Sequence, residues 1–340
     1  MPTCAPTVSA RTRPTAATAG ARRHGVRTVV RVVGAAVAVI AVALCVRTAA
    51  NQWNEIRPAI ADANLAELAL AMVLSVLSMT GLAVLWRRVL ATFGVSIPLR
   101  SAIRWYFAGE LGKYLPGGVW QVVGRGELAT RGGVDRSVAY ATTVVSMGVM
   151  CVGAAVVCAV LSPWLALDAN GIGWEMSLLL LIPVGIGFLH PVVFGRLLLG
   201  AAKVSRGRVD LQPPAWGRMC VLVLWSCPTW LLLGGASVLV TDALGFDPQP
   251  ARVAFAAVAA WIVGFLAVPV PAGAGIRELV FVGICGLAPG PATAVAALAR
   301  LLLLITDAGG GALGLTAFRR PRTRGNRALN KDGGQDNASR

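Results

Sequence analysis

Between two long apolar runs of the sequence lies a stretch of different character, Gly109–Trp120, which reads GELGKYLPGGVW. Glu110 and Lys113 are three residues apart, which places their opposite charges on one face of a helix. Pro116–Gly118 then ends that helix, because proline lacks a backbone donor and glycine favours turns. Broken backbone is tolerated at membrane depth only where protein buries it or where it lines a water-filled cavity. The stretch therefore predicts a helical hairpin that enters and leaves the membrane on one side.

The composition of the whole chain argues against an ordinary water-soluble protein. Of its 340 residues, 56% are hydrophobic and 14% are charged, whereas soluble domains carry about 25% charged residues. A membrane-spanning helix needs about 20 residues, so this length holds about six to eight spans and leaves no room for a soluble catalytic domain. Much of the net charge of +16 lies in the two tails, so we expect no nucleic-acid partner.

The cysteines and histidines indicate neither a metal site nor a disulfide framework. The seven cysteines include no Cys-x-x-Cys pair, and the two histidines, His24 and His190, lie far apart in the sequence. No other catalytic constellation is recognisable. We therefore expect no metal, no cofactor, no catalytic residue and no enzymatic activity.

Six apolar runs are long enough to cross a membrane. They occupy about Val29–Ala50, Asn64–Trp86, Val138–Leu161, Trp174–Phe194, Trp216–Val240 and Ala292–Phe318. The first run follows a basic segment, so it is either a membrane anchor or, as the less favoured alternative, a cleaved signal peptide. The tails at 1–28 and 319–340 are basic and lack hydrophobic periodicity, and we expect them to be disordered.

A second broken region, Val253–Leu287, repeats the character of the first. Two short apolar segments flank the sequence PVPAGAG at 269–275, and a charged pair follows each of the two breaks. These pairs are Arg125 and Glu127 after the first break, and Arg277 and Glu278 after the second. Two short helices separated by proline and glycine are again typical of a re-entrant hairpin.

Positive charge sets the orientation of the spans, because cytoplasmic loops carry the excess of lysine and arginine. Both tails are strongly basic and are therefore predicted to be cytoplasmic, whereas the loops at 162–173 and 241–250 carry no basic residue and are predicted to lie outside. Six spans satisfy this distribution only if Leu99–Val123 enters and leaves from the cytoplasm and Val253–Leu287 enters and leaves from the outside.

The predicted fold class is an all-α polytopic membrane protein with six full spans and two re-entrant helical hairpins. The order span, span, hairpin, span occurs twice, and the second set is upside down relative to the first. Such an inverted repeat is typical of transporters, whose substrate site lies between the repeats near the membrane midplane. The membrane domain covers 29–318, with the first repeat at 29–161 and the second at 174–318.

Charged side chains at membrane depth cost at least about 2.5–3.5 kcal/mol each, so each one requires an explanation. Four basic and four acidic residues are predicted there: Glu110, Lys113, Arg125, Glu127, Arg277, Glu278, Arg300 and Asp307. They form either a headgroup site with a polar pathway or a set of pairs that only holds the hairpins in place. For Glu127 a position in the cytoplasmic interface is favoured. The equal tally does not by itself require an anionic substrate.

The candidate substrate-binding residues combine these charges, without Glu127, with residues of the two breaks. They are Glu110, Lys113, Pro116, Gly117, Gly118, Arg125, Pro271, Gly273, Gly275, Arg277, Glu278, Arg300 and Asp307. The two breaks are predicted to approach each other to within about 15 Å, a few helix radii.

Arg300 and Asp307 lie on one face of the last span, about 10 Å apart along its axis. They are too far apart to pair with each other, so each needs a partner from another element. The second hairpin is the nearest element in the sequence, and we predict that it packs against this face with the pairs Glu278–Arg300 and Arg277–Asp307.

The motifs of both hairpins resemble a known family. Gly109–Trp120, followed by GEL at 126–128 and GGV at 132–134, resembles the transmembrane, flippase-like region of lysylphosphatidylglycerol synthases. Val270–Glu278 resembles that family's Pro-Gly-Gly-x-Gly-x-Arg-Glu segment. The resemblance covers about Val29–Arg320, and it departs from the family pattern at Ala272 and Ala274, where glycine is usual.

The resemblance implies a multi-pass protein of the bacterial plasma membrane, with membrane lipids, among them anionic or lipid-linked headgroups, as its partners. Two-domain members of the family carry a soluble domain that transfers the aminoacyl group, and we expect none here. We therefore expect a protein that moves, or helps to move, a lipid or lipid-linked headgroup between leaflets. The alternatives are a membrane-embedded lipid-modifying enzyme and an assembly partner of a cell-envelope lipid or glycan enzyme.

Overall fold

The computed structural model describes residues 63–115, 119–168, 214–267 and 271–316, together with Ala61 and Gly187. The part of the chain that it describes is helical and contains no strand. Several predictions concern residues outside it: the span Val29–Ala50, the span Trp174–Phe194 apart from Gly187, both tails, and the break Pro116–Gly118.

Eight α-helices follow one another in the described residues. They are α1 (Leu65–Thr92), α2 (Leu99–Glu110), α3 (Trp120–Arg131), α4 (Arg136–Asp168), α5 (Trp216–Ala243), α6 (Pro250–Leu266), α7 (Ile276–Ile284) and α8 (Pro289–Thr316). A 3₁₀ turn, Leu111–Tyr114, follows α2, and another, Pro271–Gly273, precedes α7. Helices α1, α4, α5 and α8 are long and apolar enough to cross a membrane, which confirms four of the six predicted spans.

One predicted boundary is wrong, because α4 continues through Asp168 instead of giving way to a loop at Ser162. Pro163 lies inside the helix and cannot donate a backbone hydrogen bond to Ala159 O one turn earlier. The hydroxyl of Ser162 donates to that carbonyl instead, at 2.9 Å. The neighbouring side chain thus satisfies the group that proline leaves free, and the helix continues.

Hydrogen bonds between helix ends show how the elements are arranged. Asn64 caps α1 by accepting from Ala66 N–H, and its own backbone N–H donates to Ala243 O, at the end of α5, at 2.9 Å. Gln249 Nε2 donates to Trp164 O in the last turns of α4 at 3.0 Å. The start of α1, the end of α4, the end of α5 and the start of α6 therefore lie together at one end of the bundle.

The short helices form two hairpins that enter the bundle from opposite ends. The first hairpin, α2 with α3, connects the end of α1 to the start of α4, and the second hairpin, α6 with α7, connects the end of α5 to the start of α8. Because α1 begins where α5 ends, the two hairpins start at opposite ends of the bundle. Their described tips, Leu111–Tyr114 and Pro271–Gly273, meet with Cα atoms within 8 Å, and the separation of the two breaks stays a prediction because Pro116–Gly118 lies outside the described residues.

The contacts of the first half, α1–α4, correspond to those of the second half, α5–α8. Helices α1 and α5, the first helices of the two halves, form the most extensive helix contact of the described residues. They correspond to each other, so this contact is its own counterpart. In the second half α6, α7 and α8 correspond to α2, α3 and α4 of the first. The contact between α2 and α8 therefore corresponds to that between α6 and α4, and the packing of α3 on α4 corresponds to that of α7 on α8. The two halves therefore have the same order of packing.

The apolar side chains point both into and out of the bundle. Trp86 and Trp230 are completely buried between the long helices, whereas Leu77, Leu224 and Leu313 face outward from α1, α5 and α8. Long helices with an apolar outer surface are suited to contact with lipid, because lipid offers no hydrogen bonds to polar groups.

Small residues let α8 approach the first hairpin closely. A β-carbon at Gly310 would overlap the ring of Phe107, and one at Gly314 would overlap the backbone carbonyl of Arg104. Close van der Waals packing of this kind is a main source of helix association in a membrane, where neighbouring lipid is as apolar as the helices themselves. The contact brings the charged residues of α8 to the tip of the first hairpin.

The turn of the second hairpin contains a strained residue. Ala272 has φ 50° and ψ 21°, a left-handed conformation that a β-carbon disfavours. The other turn residues with positive φ are glycines, Gly273 and Gly275. A β-carbon on Gly273 would lie 2.7 Å from backbone atoms of Gly264, so the turn rests directly on α6. The conformation of position 272 is the physical reason why glycine suits this part of the motif.

The substitution Ala272→Gly is expected to raise the free energy of unfolding by up to about 1 kcal/mol, because glycine adopts this backbone conformation without a steric cost. Thermal unfolding of the purified protein in detergent measures the change. Ala274→Gly, at a neighbouring position without a positive φ, is the control and is expected to be neutral or destabilising. Equal loss of stability in both variants would contradict the strain at position 272.

Candidate functional site

Seven charged side chains converge where the tips of both hairpins meet α8. The first hairpin and the turn at its tip contribute three, the second hairpin two and α8 two: Glu110, Lys113, Arg125, Arg277, Glu278, Arg300 and Asp307. We call this set the charge cluster. All seven are candidate substrate-binding residues from the sequence, and the fold brings them together from three separate elements.

Glu110 is the centre of the first hairpin's contribution. Lys113 Nζ donates to its Oε2 at 3.1 Å, and Gln121 Nε2 and Arg125 Nη2 both donate to its Oε1. The side chain of Glu110 is 3% exposed, and that of Arg125 is not exposed at all. The Arg125 guanidinium also lies over the ring of Tyr106, 3.9 Å from its centroid. The buried arginine thus has a carboxylate that is itself held by two further donors.

Asp307 joins α8 to the first hairpin. Its Oδ2 accepts from Lys113 Nζ and from Tyr114 Oη, both at 2.6 Å, and its side chain is 1% exposed. The predicted pair Arg277–Asp307 is therefore wrong. The reason is the close packing of α8 on α2, a contact between distant parts of the sequence that proximity along the chain does not reveal.

Glu278 and Arg300 form the predicted ion pair between the second hairpin and α8. Arg300 Nη1 donates to Glu278 Oε1, and the other oxygen of the carboxylate accepts from Gly275 N–H at 2.7 Å. Glu278 therefore also caps the first turn of α7. The second hairpin packs against the face of α8 that carries Arg300, as the sequence predicts.

Arg277 differs from the other basic residues of the cluster. Among the described residues no carboxylate forms an ion pair with it. Its buried Nε atom has no hydrogen-bond partner there, which is also true of Nε and Nη1 of Arg125. The guanidinium of Arg277 lies over the ring of Trp261, 5.4 Å from the centroid. A cation–π contact of this kind compensates a buried charge only in part.

Two neighbouring cavities adjoin Arg277 and Arg300. The larger has a volume of about 70 Å³ and is otherwise lined mainly by apolar side chains of α5–α8, together with Glu278. The smaller has a volume of about 20 Å³ and reaches Lys113 and Asp307. A single water needs roughly 10–15 Å³ of such space, so the smaller cavity has room for one water and the larger for several.

The first hairpin packs its arginine against a glycine and an aromatic ring of its first helix. A β-carbon on Gly109 would overlap the side chain of Arg125, which fills the space above that glycine. Tyr106 lies three residues before Gly109, so its ring and the glycine share one face of α2. Glu110, which pairs with Arg125, follows Gly109 directly.

The second hairpin repeats this arrangement, with one difference. A β-carbon on Gly264 would overlap Arg277, and Trp261, three residues before Gly264, carries the ring below the guanidinium. The residue that follows Gly264 is Phe265, whose ring stacks on that of Trp261 with centroids 5.1 Å apart. Glycine, aromatic ring and arginine therefore recur, and the carboxylate does not.

Glu127 lies apart from the cluster. It pairs with Arg131 one turn further along α3, with Nε and Oε1 3.1 Å apart, and the two side chains are 35% and 49% exposed. Such an exposed pair contributes little to stability, and the position of Glu127 in the cytoplasmic interface stays a prediction. Without Glu127, the equal tally of the sequence becomes four basic and three acidic residues.

The break residues contribute backbone to the site. Pro271 begins the second 3₁₀ turn, and Gly273 and Gly275 supply the positive φ angles that the turn needs. The candidate residues of the first break, Pro116, Gly117 and Gly118, lie outside the described residues. Within the described residues no group of three or more His, Cys, Asp or Glu side chains is placed to hold a metal ion.

The sequence interpretation missed four neutral side chains of the site: Tyr106, Tyr114, Gln121 and Trp261. They carry no charge, so the argument from the cost of burying charge does not identify them. The repeated spacing of an aromatic residue three positions before a glycine would have identified Tyr106 and Trp261.

One comparison with known proteins bears on these elements. The sequence model of a family described as "Lysylphosphatidylglycerol synthase TM region" matches residues 31–310. The matched region contains α1–α7, most of α8 and the whole charge cluster. No curated protein matches the chain.

Asp307→Asn is expected to lower the free energy of unfolding by about 3–5 kcal/mol, because it removes one partner of a buried ion pair and leaves Lys113 incompletely compensated. Chemical unfolding in detergent of this variant, of Lys113→Gln and of the double variant measures their coupling. The sum of the losses in unfolding free energy of the two single variants is expected to exceed the loss of the double variant by about 1–3 kcal/mol.

The exposed pair Glu127 and Arg131 provides the matched control, since its coupling is expected to be below about 0.5 kcal/mol. If the losses at Lys113 and Asp307 were simply additive, the pair would not be the tie between the two halves of the protein.

Proposed function

Because the chain belongs to the family of lysylphosphatidylglycerol synthase transmembrane regions, we propose that it moves, or helps to move, a lipid or lipid-linked headgroup between the leaflets of a membrane. It is a multi-pass membrane protein, as family membership and four long apolar helices show. The observation that carries the proposal is the charge cluster, which lies inside a helical bundle where two hairpins from opposite ends meet. Charged groups at such depth typically mark the path of a substrate or an ion.

The proposal includes an inverted repeat, with six spans and two re-entrant hairpins. Three observations support it: the corresponding helix contacts of the two halves, the entry of the hairpins from opposite ends, and the recurring set of glycine, aromatic ring and arginine. In transporters built this way, one half moves against the other around a site at their interface. The ion pair of Lys113 and Asp307 lies at that interface, because it joins the first half to the second.

We assign the end of the bundle at Pro98 and Gly132 to the cytoplasm of a bacterial cell. Arginines concentrate in or beside the helix ends there: Arg87, Arg88, Arg100, Arg104, Arg131, Arg136 and Arg218. Among the described residues, the opposite end carries only Arg252. This difference supports the proposed orientation, in which both termini are cytoplasmic, because cytoplasmic loops carry the excess of positive charge.

Single cysteines in a variant without native cysteines test this orientation. Asp247→Cys is expected to react with a membrane-impermeant maleimide on intact cells, and Ser96→Cys only after the cells are permeabilised. A reporter that is active only in the cytoplasm is expected to be active when fused at Gln335, and a reporter that is active only outside the membrane is expected to be inactive there. Labelling of Ser96→Cys but not of Asp247→Cys on intact cells would reverse the assignment.

A leaflet-resolved assay in reconstituted vesicles tests translocation. The vesicles carry one fluorescent lipid at a time, phosphatidylglycerol or phosphatidylethanolamine, and dithionite quenches the label in the outer leaflet. The protein is expected to accelerate the exchange of at least one lipid. Asp307→Asn is expected to reduce that rate about tenfold or more, equivalent to at least about 1.4 kcal/mol in the barrier, because the tie between the halves is lost.

Arg131→Gln, which changes an exposed charge outside the cluster, is the control and is expected to keep the wild-type rate. Mass spectrometry of the same vesicles separates the alternatives. A covalently altered lipid without exchange would favour a lipid-modifying enzyme, and neither exchange nor product would favour an assembly partner.

A further inference from the structure

Asp307 differs from the other two carboxylates of the charge cluster in the origin of its cation. The cations paired with Glu110 come from its own hairpin, and the pair of Glu278 and Arg300 lies within the second half. Asp307 belongs to the second half, and its cation, Lys113, belongs to the first. Among the ion pairs of the described cluster, that of Asp307 is therefore the one that a separation of the two halves breaks.

The two partners of this pair are left in different situations when they separate. Lys113 keeps Glu110, whose carboxylate lies 3.1 Å from its ammonium in the same hairpin. Asp307 has no second ion pair within the described residues. An ionised carboxylate without a partner is costly at membrane depth, and a buried group in that position is neutralised instead. Uptake of a proton removes the negative charge and with it this cost.

One oxygen of Asp307 is free to take up that proton. Both carboxylate oxygens of Glu110 and of Glu278 accept hydrogen bonds. In Asp307, Oδ2 accepts from Lys113 and Tyr114, whereas the buried Oδ1 has no hydrogen-bond partner within the described residues. Asp307 lines the smaller cavity, whose volume of about 20 Å³ has room for one water. A proton can therefore be added at Oδ1 without displacing an existing hydrogen bond.

The lining of the smaller cavity fits a proton better than a metal cation. Its described side chains offer oxygen atoms only from Asp307 and Tyr114, whereas hard metal cations take about six or more oxygen ligands. Three cationic side chains, Lys113, Arg277 and Arg300, also line this cavity and repel a metal ion. The ligand indicated by these described residues is a proton.

Charged and titratable groups of each neighbouring element act on Asp307. Lys113 and Tyr114 contact it from the tip of the first hairpin. The other groups act through space from α2, α7 and α8: Tyr106, Glu110, Arg277 and Arg300. Helices α1 and α5 also pack on α8, but they carry charged residues only near their ends. The contact with Lys113 keeps Asp307 ionised while the halves are together, so proton uptake belongs to the separated state.

The larger cavity leads from this site toward one end of the bundle. Arg277 and Arg300 line both cavities, and the larger one continues to Ser237 and Ala296, toward the end of α5 and the start of α8. This end lies opposite the arginine-rich one. At roughly 10–15 Å³ for each water, the volume of about 70 Å³ holds several waters. These waters connect Asp307 with the side of the membrane that we assign to the outside.

We propose that Asp307 is a proton-binding site, and that a proton on its Oδ1 replaces Lys113 when the two halves separate. A hydronium ion in the cavity gives up the proton, an O–H bond forms at Oδ1, and the carboxylate becomes neutral. Lys113 keeps its charge beside Glu110, and the return of the halves releases the proton to water.

Proton binding and separation of the halves are linked, because a ligand shifts an equilibrium toward the state that binds it better. A proton gradient across the membrane therefore biases the movement of one half against the other. The inference rests on the proposed function, since it names the ion that drives movement at the same site.

Infrared spectroscopy of the full-length protein in lipid vesicles tests the site. An isotope label in the aspartate side-chain carboxyl groups separates their C=O stretch from that of glutamate, and Asp307 is the one aspartate of the charge cluster. Acidification is expected to produce the band of a buried, protonated aspartate in the wild type and in Glu127→Gln, and not in Asp307→Asn. Its absence from the wild type at every pH at which the protein stays folded would overturn the proposal.

Variants of Lys113 test the exchange while Asp307 stays in place. Lys113→Gln removes the cation that competes with the proton, and it is expected to bind the proton at least about tenfold more tightly. Lys113→Arg keeps a cation and is expected to titrate as the wild type does, as is the control Arg131→Gln. Equal proton affinity of Lys113→Gln and the wild type would contradict the exchange. Loss of the aspartate band in Lys113→Gln would show that another cation, such as Arg277, compensates Asp307 instead.

The leaflet-resolved assay under a pH gradient connects the proton to movement. Lipid exchange by the wild type and by Asp307→Glu, which keeps an acidic group, is expected to fall at least about threefold when a protonophore collapses the gradient. The residual exchange of Asp307→Asn is expected to be the same with and without the gradient. A wild-type rate that does not depend on the gradient would overturn the coupling.

Failure of the site and failure of the proposed function give different results. If the aspartate band appears and depends on Lys113 as expected, but no lipid changes leaflet, the proton site stands and translocation is wrong. If lipid exchange occurs, but no aspartate band appears and the gradient has no effect, translocation stands and the proton site is wrong.

Discussion

A charge that is removed from water must be matched by another charge or by hydrogen bonds, and the centre of this protein is organised by that requirement. Lys113 satisfies it twice, since its ammonium contacts Glu110 of its own hairpin and Asp307 of α8. Because α8 belongs to the second half of the bundle, this one side chain ties the two halves together. Lys113 holds the tip of the first hairpin at α8, and the pair of Glu278 and Arg300 holds the second hairpin there. Neither hairpin can withdraw without separating a buried pair of charges.

The hairpins reach this point because their helices end inside the bundle. Glycines at the close contacts make this possible: Gly109 and Gly264 leave room for an arginine from the returning helix. Each arginine is then held over an aromatic ring, Tyr106 or Trp261. The two halves thus share one local construction. Glu110 follows the glycine in the first half and Phe265 follows it in the second, and Arg277, which has no ion pair among the described residues, lines a cavity.

Local spacing predicted the parts of the site that lie close together in the sequence. Glu110 and Lys113 share a helix face and do pair, and Glu278 pairs with Arg300 of the next helix. The partner of Asp307 was predicted incorrectly, because Arg277 is nearer in the sequence than Lys113 but not in the fold. Glu127 was included in the equal tally of four basic and four acidic residues, although an interfacial position was favoured for it, and in the fold it pairs with Arg131 outside the cluster. The cluster itself has four basic and three acidic residues.

The sequence by itself determined that the protein is a helical membrane protein and where four of its long helices run, since hydropathy acts locally. It also showed that proline and glycine interrupt two of the segments between these helices. Only the tertiary structure decided which charges meet and which one is left over. That outcome depends on how closely α8 approaches α2, and small residues at a long-range contact set this distance. Ion pairs form only between groups a few ångström apart in space, and the spacing of residues along the chain does not specify those distances.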